Sequence, residues 1–467
     1  MRRIAKGSCL VTPVSFFLLS IFVSFVPAQA QPKKAGVIVR VSDASQVDRL
    51  SQKFNWRVQL KVSVGNGALF VINDVSEGQA KQLLKNEPAV VFVEEDKVIT
   101  LGDGGETVVP LDGGETVVPL DGGETVVPLD GGETVVPLGT AGDQLISQLT
   151  GQSSLPFNQL TTIRNAYARI AALVAPSPRL ILQPSFSQIG LYSSIAQATG
   201  RGVVIADLDT GADTCHPVLQ GITTYTFVAG TDANSPENCP NSSTTVVPGY
   251  GHGTAVASLL RLVAPSANVW AIRVFDNTGS AQTSSIYAAM VFAANSGVNI
   301  INMSFGTSTY SQTLADAVSY AQSMGVTLVA AGGNSNVAPL MYPAQLPGVA
   351  GVVAVTNADI KTPFSNYGFG ADVSAPGYGL WVAYPGNQMT YVAGTSYASP
   401  LVAAEAADVI DSYQQIFRGQ PGSSLVNRQI SRAVLPIDWL NPGYAGQLGS
   451  GRIYIPFSVF GIWPGAF

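Results

Sequence analysis

Hydrophobic positions between residues 35 and 101 alternate as in half-buried strands, interrupted by two stretches with helical spacing. Strands are predicted in "AGVIVRV", "WRVQLKV", "GALFVIND" and "AVVFVEEDKVITL". Helices are predicted in "DASQVDRLSQKF" and "SEGQAKQLLKN". The order βαββαβ predicts a small α+β domain of the ferredoxin-like kind, of a size that can fold as a unit.

From residue 202 onward the apolar runs become nearly continuous. Segments such as "GVVIADLDTG", "ANVWAIRVF", "VNIINMSFG" and "VTLVAAGGN" are typical of strands buried on both faces, and helical stretches such as "SSIYAAMVFAANSG" lie between them. This alternation predicts an α/β domain with a mostly parallel central sheet covered by helices. We expect its functional groups at the carboxyl ends of the strands.

The first 30 residues have the pattern of a secretory signal. A basic start precedes an apolar run from Leu10 to Val26, and the small-x-small triplet "AQA" ends at Ala30. An uncleaved membrane anchor is the alternative, for which this run is slightly short. We expect export, to the medium or the periplasm, and no stable membrane association once the signal is removed.

A nonapeptide, "DGGETVVPL", repeats four times without change from Asp103 to Leu138. Its proline and acidic residues predict an extended linker over residues 102–138. Calcium binding by a β-helix is the alternative, although that repeat needs more glycines and an aspartate where this one has Val-Val-Pro. Residues 139–180 are predicted to be a connector with one helix in "TTIRNAYARIAALVA".

Charge and cysteine content narrow the function classes. The chain of 467 residues has a formal net charge of −6 and only 12% charged residues, which argues against a nucleic-acid partner. Cys9 leaves with the signal, so Cys215 and Cys239 remain. An exported chain with two cysteines favours a disulfide between them, and a free buried thiol is the alternative.

Two histidines follow the signal, and one of them has the surroundings of a general base. His252 is flanked by two glycines and followed by an apolar helix, whereas His216 precedes a proline in "DTCHP". Asp209 ends a buried strand in "LDTG", a position that ordinary turn chemistry also explains. Its carboxylate could accept a hydrogen bond from the His252 ring and hold the tautomer.

Ser396 lies in "AGTSYASPLVAAEAADVI", directly before an apolar helix. The pattern predicts a helix cap, and it equally predicts a nucleophile mounted at the positive end of a buried helix. Pro400 is predicted to fall in the first turn of that helix, where its missing N–H would be tolerated.

The order Asp209, His252, Ser396, in "DTG", "HGT.VA" and "GTS.ASP", resembles that of the subtilisin-like serine peptidases, the S8 family of subtilases. The resemblance covers residues 183–455. It implies a three-layer α/β/α fold in which Asp209 is the orienting acid, His252 the general base and Ser396 the nucleophile. It also implies that Asn334, in "VAAGGN", supplies an oxyanion-hole amide.

The same resemblance implies two segments that line the substrate cleft. They are Ser304-Phe305-Gly306, which would pair with the peptide substrate, and Ala331-Gly332-Gly333, which would form the opposite wall of the primary pocket. Pairing with main chain rather than side chains predicts broad specificity.

The N-terminal βαββαβ segment resembles the inhibitor I9-like propeptides of these enzymes, which block the cleft with their C-terminal strand. Cleavage near Leu101 would leave the repeat on the mature enzyme, and cleavage near Gln183 would remove it. The predicted organisation is a signal (1–30), a propeptide domain (31–101), a repeat linker (102–138), a connector (139–180), a peptidase domain (181–455) and a tail (456–467).

These patterns predict a secreted serine endopeptidase made as an autoprocessed zymogen and acting as a monomer on proteins or peptides. The resemblance implies that its chemistry requires no cofactor; calcium stabilises many members, but no metal ligands are assigned here. One alternative is a transpeptidase or macrocyclase that passes the acyl group to an amine. Another is an inactive, subtilase-like binding protein.

Overall fold

A computed structural model describes residues 36–73, 75–101, 157–174, 177–228, 235–241, 244 and 247–460, and the backbone of strands at 107–108 and 125–129. The predicted signal, most of the repeat and the residues after 460 lie outside the described residues. Within the described part of the chain, no helix has both the length and the apolar character needed to cross a membrane.

The N-terminal domain is a four-stranded antiparallel sheet with two helices. Its elements are β1 (Val37–Val41), α1 (Gln46–Phe54), β2 (Val58–Val64), β3 (Gly67–Ile72), α2 (Glu77–Leu84) and β4 (Val90–Glu95). The strand order is β2-β3-β1-β4. The last predicted strand differs from expectation, because it stops at Glu95 and resumes as β5 (Val98–Thr100), which leaves this sheet.

Both faces of this small sheet are covered, which follows from strand alternation. On one face Val37, Val39 and Val41 pack with Leu50 of α1 and Leu84 of α2. The opposite face belongs to a core shared with the larger domain, and it contributes Ile38, Leu60, Val62, Val64, Leu69 and Val71.

The segment between the two domains contains three described elements. They are β6 (Thr107–Val108), β7 (Thr125–Leu129) and α3 (Phe157–Val174). The helix begins before the predicted stretch and buries Ile163, Ala166, Ile170 and Val174 in the core of the larger domain. This helix is therefore packed against the larger domain.

The larger domain has a long central sheet and helices on both faces. Its strands are β8 (Val204–Asp209), β9 (Thr223–Thr226), β10 (Asn268–Arg273), β11 (Ser280–Gln282), β12 (Ile300–Met303), β13 (Thr327–Ala331), β14 (Val349–Val355), β15 (Val373–Pro376), β16 (Tyr378–Tyr384), β17 (Gln388–Ala393), β18 (Val434–Leu435) and β19 (Arg452–Ile453). Its helices are α4 (Pro178–Ile181), α5 (Pro184–Gln188), α6 (Leu191–Ser194), α7 (His252–Val263), α8 (Thr283–Asn295), α9 (Gln312–Ser323), α10 (Thr395–Phe417), α11 (Ser423–Arg432) and α12 (Ile455–Val459).

The central sheet has the order β18-β19-β15-β14-β13-β12-β8-β10-β9 and is parallel except at β18–β19. Helices α7 and α10 pack on one face, and α8 and α9 on the other. These two apolar cores confirm the predicted three-layer α/β/α arrangement. Because β8 has β12 on one side and β10 on the other, a crevice opens beyond its carboxyl end, where Asp209 lies.

Part of the repeat is paired rather than free. Strand β7 runs antiparallel to β17, with Val127 opposite Tyr391 and Leu129 opposite Met389, and β6 pairs with β7 in parallel. The open edge of the β16–β17 hairpin supplies backbone partners for these residues that composition could not reveal.

Candidate active site

Asp209 and His252 form a buried pair at the end of β8 and the start of α7. The Nδ1 atom of His252 lies 2.8 Å from Oδ1 and 2.9 Å from Oδ2 of Asp209. The two neighbouring glycines are required sterically. A Cβ on Gly253 would lie 2.1 Å from the carbonyl oxygen of Gly211, and one on Gly251 would lie 2.2 Å from the Tyr384 ring.

A second carboxyl group lies deeper on the same strand. Asp207 is fully buried and accepts a hydrogen bond of 2.9 Å from Nδ2 of Asn302. Burial, reinforced by the charge of Asp209, raises the pKa of Asp207 well above its usual range and favours its protonated form. Asn302 in turn accepts from Ser399 Oγ at 2.7 Å, which ties β8 and β12 to α10.

Ser396 is the second residue of α10 and lies against the end of β12. Its Oγ donates to the carbonyl oxygen of Ser304 at 3.0 Å, and Ser304 Oγ donates to the Ser396 carbonyl oxygen at 2.9 Å. The rings of His252 and Tyr397 have centroids 5.5 Å apart, so the first turns of α7 and α10 meet here. The structure therefore brings Asp209, His252 and Ser396 to one end of the sheet.

Asn334 is fixed beside the first turn of α10 by its amide oxygen. That oxygen accepts 2.9 Å from Thr395 N and 2.8 Å from Thr395 Oγ1, and Gly333 N donates 3.0 Å to the same Thr395 hydroxyl. Because Thr395 supplies donors, it fixes which end of the amide it meets. The NH₂ group of Asn334 is therefore the end directed away from Thr395.

The two predicted wall segments lie on either side of one side chain. A Cβ on Gly306 would lie 2.8 Å from Cβ of Met341, and one on Gly333 would lie 2.9 Å from its Cγ. Ser304, Phe305, Ala331 and Gly332 are buried beside them. Met341 between the walls was not predicted, because it follows "APL" in a loop without any periodic pattern.

A further edge of the cleft was also missed by the sequence reasoning. Strand β5 pairs antiparallel with β11, with Thr100 opposite Ser280 and Val98 opposite Gln282. The backbone N–H of Leu101 adds a bond of 2.7 Å to the Gly279 carbonyl oxygen. The "GSAQ" segment gave no signal, since it has no apolar alternation and its partner lies in another domain.

Side chains of the β5 segment fill the crevice as it approaches the Asp209–His252 pair. Ile99 is 1% exposed and packs in the same core as Phe275 and Ala281. The Leu101 side chain reaches within 2.8 Å of where a Cβ on Gly249 would be, three residues before His252. The C-terminal strand of the N-terminal domain thus lies along the cleft.

The remaining predicted residues are structural neighbours of the site. Cys215 and Cys239 form a disulfide, and the Asp213 carboxylate accepts from the backbone N–H of both, at 2.9 and 3.1 Å. Asp213 and the two sulfur atoms lie close enough together to suggest a metal site. The disulfide argues against one, because its sulfur atoms are not thiolate ligands. His216 contacts the Gln388 carbonyl oxygen at 3.1 Å through Nε2.

Comparisons with known proteins identify the family of the chain. The Subtilase family profile (Peptidase S8) matches residues 200–435. Subtilisin Savinase of Lederbergia lenta is 38% identical over 218 residues, which are 45% of this chain and 76% of Savinase. An alkaline protease of Shouchella clausii is also 38% identical over 218 residues, and this match covers 54% of that protein.

A solved structure extends the likeness of fold beyond the matched domain. Fervidolysin from Fervidobacterium pennivorans, described as a keratinolytic enzyme related to subtilisin, superposes with a TM-score of 0.66 over 95% of this chain and 63% of its own. Its identity of 21% limits the comparison to the fold. With the family profile matching half of the chain, the protein belongs to the subtilase family and is a serine-type endopeptidase of the subtilisin kind.

Proposed function

We propose that the protein is a secreted endopeptidase whose catalytic triad is Asp209, His252 and Ser396. The contact that carries this proposal is the buried Asp209–His252 pair, at 2.8 Å, beside the first turn of α10. An aspartate at Nδ1 of a histidine orients the ring so that Nε2 serves as the base. The family acts on protein substrates, which supports peptide-bond hydrolysis as the reaction, and a serine nucleophile implies an acyl-enzyme intermediate.

The proposed steps follow from these positions. His252 Nε2 takes the hydroxyl proton of Ser396 as Oγ attacks the peptide carbonyl carbon, and Asp209 stabilises the imidazolium. The imidazolium then protonates the leaving amine, and an ester to Ser396 remains. Water attacks this ester with His252 again as the base, which releases the acid and restores the serine hydroxyl.

The Asn334 amide and the backbone N–H of Ser396 would hold the oxyanion. We expect Asn334→Asp to lower kcat by about 10²- to 10³-fold, the size of loss when such a donor is removed in subtilisin. Aspartate retains an oxygen for Thr395 and replaces the NH₂ donor with a carboxylate oxygen, so the loss combines the missing donor with charge repulsion and should be at least this large. Steady-state kinetics on a peptide substrate measure it, with the exposed Asn158→Asp as the matched control. An unchanged kcat would remove Asn334 from the oxyanion hole.

The N-terminal domain is proposed to be an inhibitory propeptide, because its charged side chains cap two helices of the larger domain. Asp96 accepts from Ser284 N at 3.0 Å, Ser284 Oγ at 2.6 Å and Thr283 Oγ1 at 3.1 Å, at the start of α8. Carboxylates at helix N-termini satisfy unpaired N–H groups and the helix dipole.

Glu94 makes the equivalent contact at the start of α9. Its Oε2 accepts from Thr313 N at 2.9 Å and Thr313 Oγ1 at 2.8 Å, and Oε1 accepts from Gln312 N at 3.2 Å. Burial disfavours the charged form of Glu94, but the bonds from Thr313 and Lys97 outweigh it and lower its pKa. Both caps lie just before β5 in the chain, so they anchor the start of the segment that enters the cleft.

We expect Glu94→Gln/Asp96→Asn to weaken this docking, because charge-assisted hydrogen bonds contribute about 1.5–3 kcal/mol each. The full-length variant should develop peptidase activity about 10-fold sooner than the wild type or more. Glu87→Gln is the control, since Glu87 pairs with Arg49 and Lys53 within the N-terminal domain. Equal onset times in all three proteins would contradict the capping role.

The function itself is tested by chemistry at Ser396. A fluorophosphonate probe should label the processed protein at Ser396, and product masses should show one added water per cleaved bond. Masses without added water would favour the transpeptidase alternative. No labelling in wild type or Ser396→Ala would favour the inactive binding protein.

Export and processing are part of the same proposal. Residues 1–30 are proposed to be a cleaved signal, and the enzyme to be released to the medium or periplasm as a monomer. N-terminal sequencing of the exported protein locates the processing site. A mature start beyond Leu138 would exclude the repeat from the active enzyme, whereas a start near residue 102 would retain it.

A further inference from the structure

A buried glutamate outside the proposed triad lies beside the Asp209–His252 pair. Glu237 is 1% exposed and comes from the loop between β9 and α7. Its Oε1 accepts a short hydrogen bond from Thr210 Oγ1. Its Oε2 accepts from Thr254 N at 3.1 Å and from Thr254 Oγ1 at 2.6 Å.

The two threonines belong to the turns that carry the pair. Thr210 follows Asp209, and its N–H donates to Asp209 Oδ1 at 2.6 Å. Thr254 lies in the first turn of α7, two residues after His252, and Gly253 N donates to Thr210 Oγ1 at 2.9 Å. One carboxylate therefore joins the end of β8 to the start of the histidine helix.

The loop that carries Glu237 is anchored on both sides. Cys239, two residues later, is bonded to Cys215 on the Asp209 side. Ser235 Oγ, two residues earlier, donates to the Thr210 carbonyl oxygen at 3.0 Å. These anchors do not use the Glu237 side chain, so removing that side chain leaves the loop attached.

The charge of this carboxylate acts on the same pair. The ionisable groups that face Glu237 from the elements packed around it are Asp207, Asp209, Asp213, His252, Tyr250 and Tyr384. Burial raises the pKa of Glu237 to about 7, aided by the charge of Asp209 and opposed by the threonine hydrogen bonds.

The hydroxyl of Thr210 can respond to this charge, because it has one proton and two acceptors within reach. When Glu237 is ionised, the Thr210 hydroxyl donates its proton to that carboxylate. The Thr210 Oγ1 atom then lies 3.2 Å from Asp209 Oδ1. A neutral, donating group at position 237 would turn the hydroxyl proton toward Asp209. An added hydrogen bond to Asp209 weakens its hold on the imidazolium.

We propose that Glu237 is a positioning residue, which holds the Asp209 turn against the His252 helix and favours the protonated form of His252. The inference rests on the proposed triad and adds a fourth residue, which supports the triad without touching its side chains. Glu237 touches the pair through Thr210 and Thr254, and we assign it no contact with substrate.

Two variants distinguish the effect of the Glu237 hydrogen bonds on catalysis from the effect of its charge. Glu237→Gln keeps the hydrogen bonds, because its oxygen can accept from Thr254 and its NH₂ can donate to Thr210. We expect kcat within a few-fold of wild type. The acid limb of kcat/KM should move to lower pH by a fraction of a unit, because Glu237, with a pKa of about 7, is only partly ionised there. Glu237→Ala loses the link, and we expect kcat to fall about 10- to 100-fold with KM unchanged.

Glu405→Gln is the matched control, since Glu405 is also fully buried but lies nine residues beyond Ser396 on α10. Its pH profile should match that of the wild type. Thermal unfolding verifies that each variant is folded, and if Glu237→Ala is not, the isosteric Glu237→Gln decides. An unmoved acid limb in Glu237→Gln would overturn the proposal. A wild type without activity would instead overturn the proposed function.

Discussion

Ser396→Ala is expected to lower kcat by about 10⁶-fold, the loss found when the nucleophile of subtilisin is removed. The reason is local. Ser396 is held against the end of β12 by its exchange of hydrogen bonds with Ser304, and alanine at this position has no atom that can attack the peptide carbonyl. Hydrolysis of a fluorogenic peptide, measured at matched protein concentration, gives the loss.

Two further variants make this test specific. Ser412→Ala removes another buried hydroxyl from the same helix, one that donates to Val459, and should retain near-wild-type kcat. Ser396→Ala/His252→Ala should be no slower than Ser396→Ala, because groups that act as a unit are not additive. A Ser396→Ala protein with substantial kcat, free of contaminating protease, would reject this serine as the nucleophile.

The second large effect is on stability. Glu405→Gln is expected to raise the free energy of unfolding at pH 8 by on the order of 4 kcal/mol. Glu405 is fully buried in α10, and burial raises its pKa to about 8, partly offset by Ser458 and Arg452. Glutamine needs no proton to remain neutral there.

The sign follows from proton binding. Glu405 has a pKa of about 8 in the folded protein and about 4.5 in the unfolded chain. Between pH 4.5 and 8 the folded state therefore holds a proton that the unfolded state has lost. Wild-type stability therefore falls as pH rises from about 4.5 to 8, by roughly 1.4 kcal/mol per unit, and the variant lacks this slope. Below pH 4.5 the two proteins should converge.

Urea unfolding at pH 5, 6.5 and 8 measures this difference, in a Ser396→Ala background so that self-digestion does not interfere. The partly exposed Glu77→Gln, which loses a pair with Lys81 and a charge in the first turn of α2, should leave the pH dependence nearly unchanged. A constant difference between Glu405→Gln and wild type across this range would show that Glu405 is charged in the folded protein.

The central sheet could be predicted because both of its faces are buried, which produces the nearly continuous apolar runs of β8, β13 and β14. The positions of Asp209, His252 and Ser396 at the ends of apolar segments could also be predicted from the sequence. What sequence could not supply were contacts made across long separations by residues without a pattern. Glu237 is an example, since its burial depends on threonines 27 and 17 positions away.

Strand β5 is the other example. Its residues continue the apolar alternation of β4, and the two were predicted as one strand. The break comes from Asp96, whose carboxylate is held by α8 of the other domain. A local pattern cannot indicate that its partner backbone lies nearly 200 residues away, at Ser280–Gln282.

Because both faces of the small N-terminal sheet are covered, release of this domain after cleavage would expose apolar side chains. If the chain is cut after β5 and the domain departs, Ile38, Leu60, Leu69 and Val71 exchange a shared core for water. A sheet left with one bare apolar face is prone to open and is easily digested by a protease. Separation would then be hard to reverse, so a domain with the proposed inhibitory role could act only once before the released peptidase digests it.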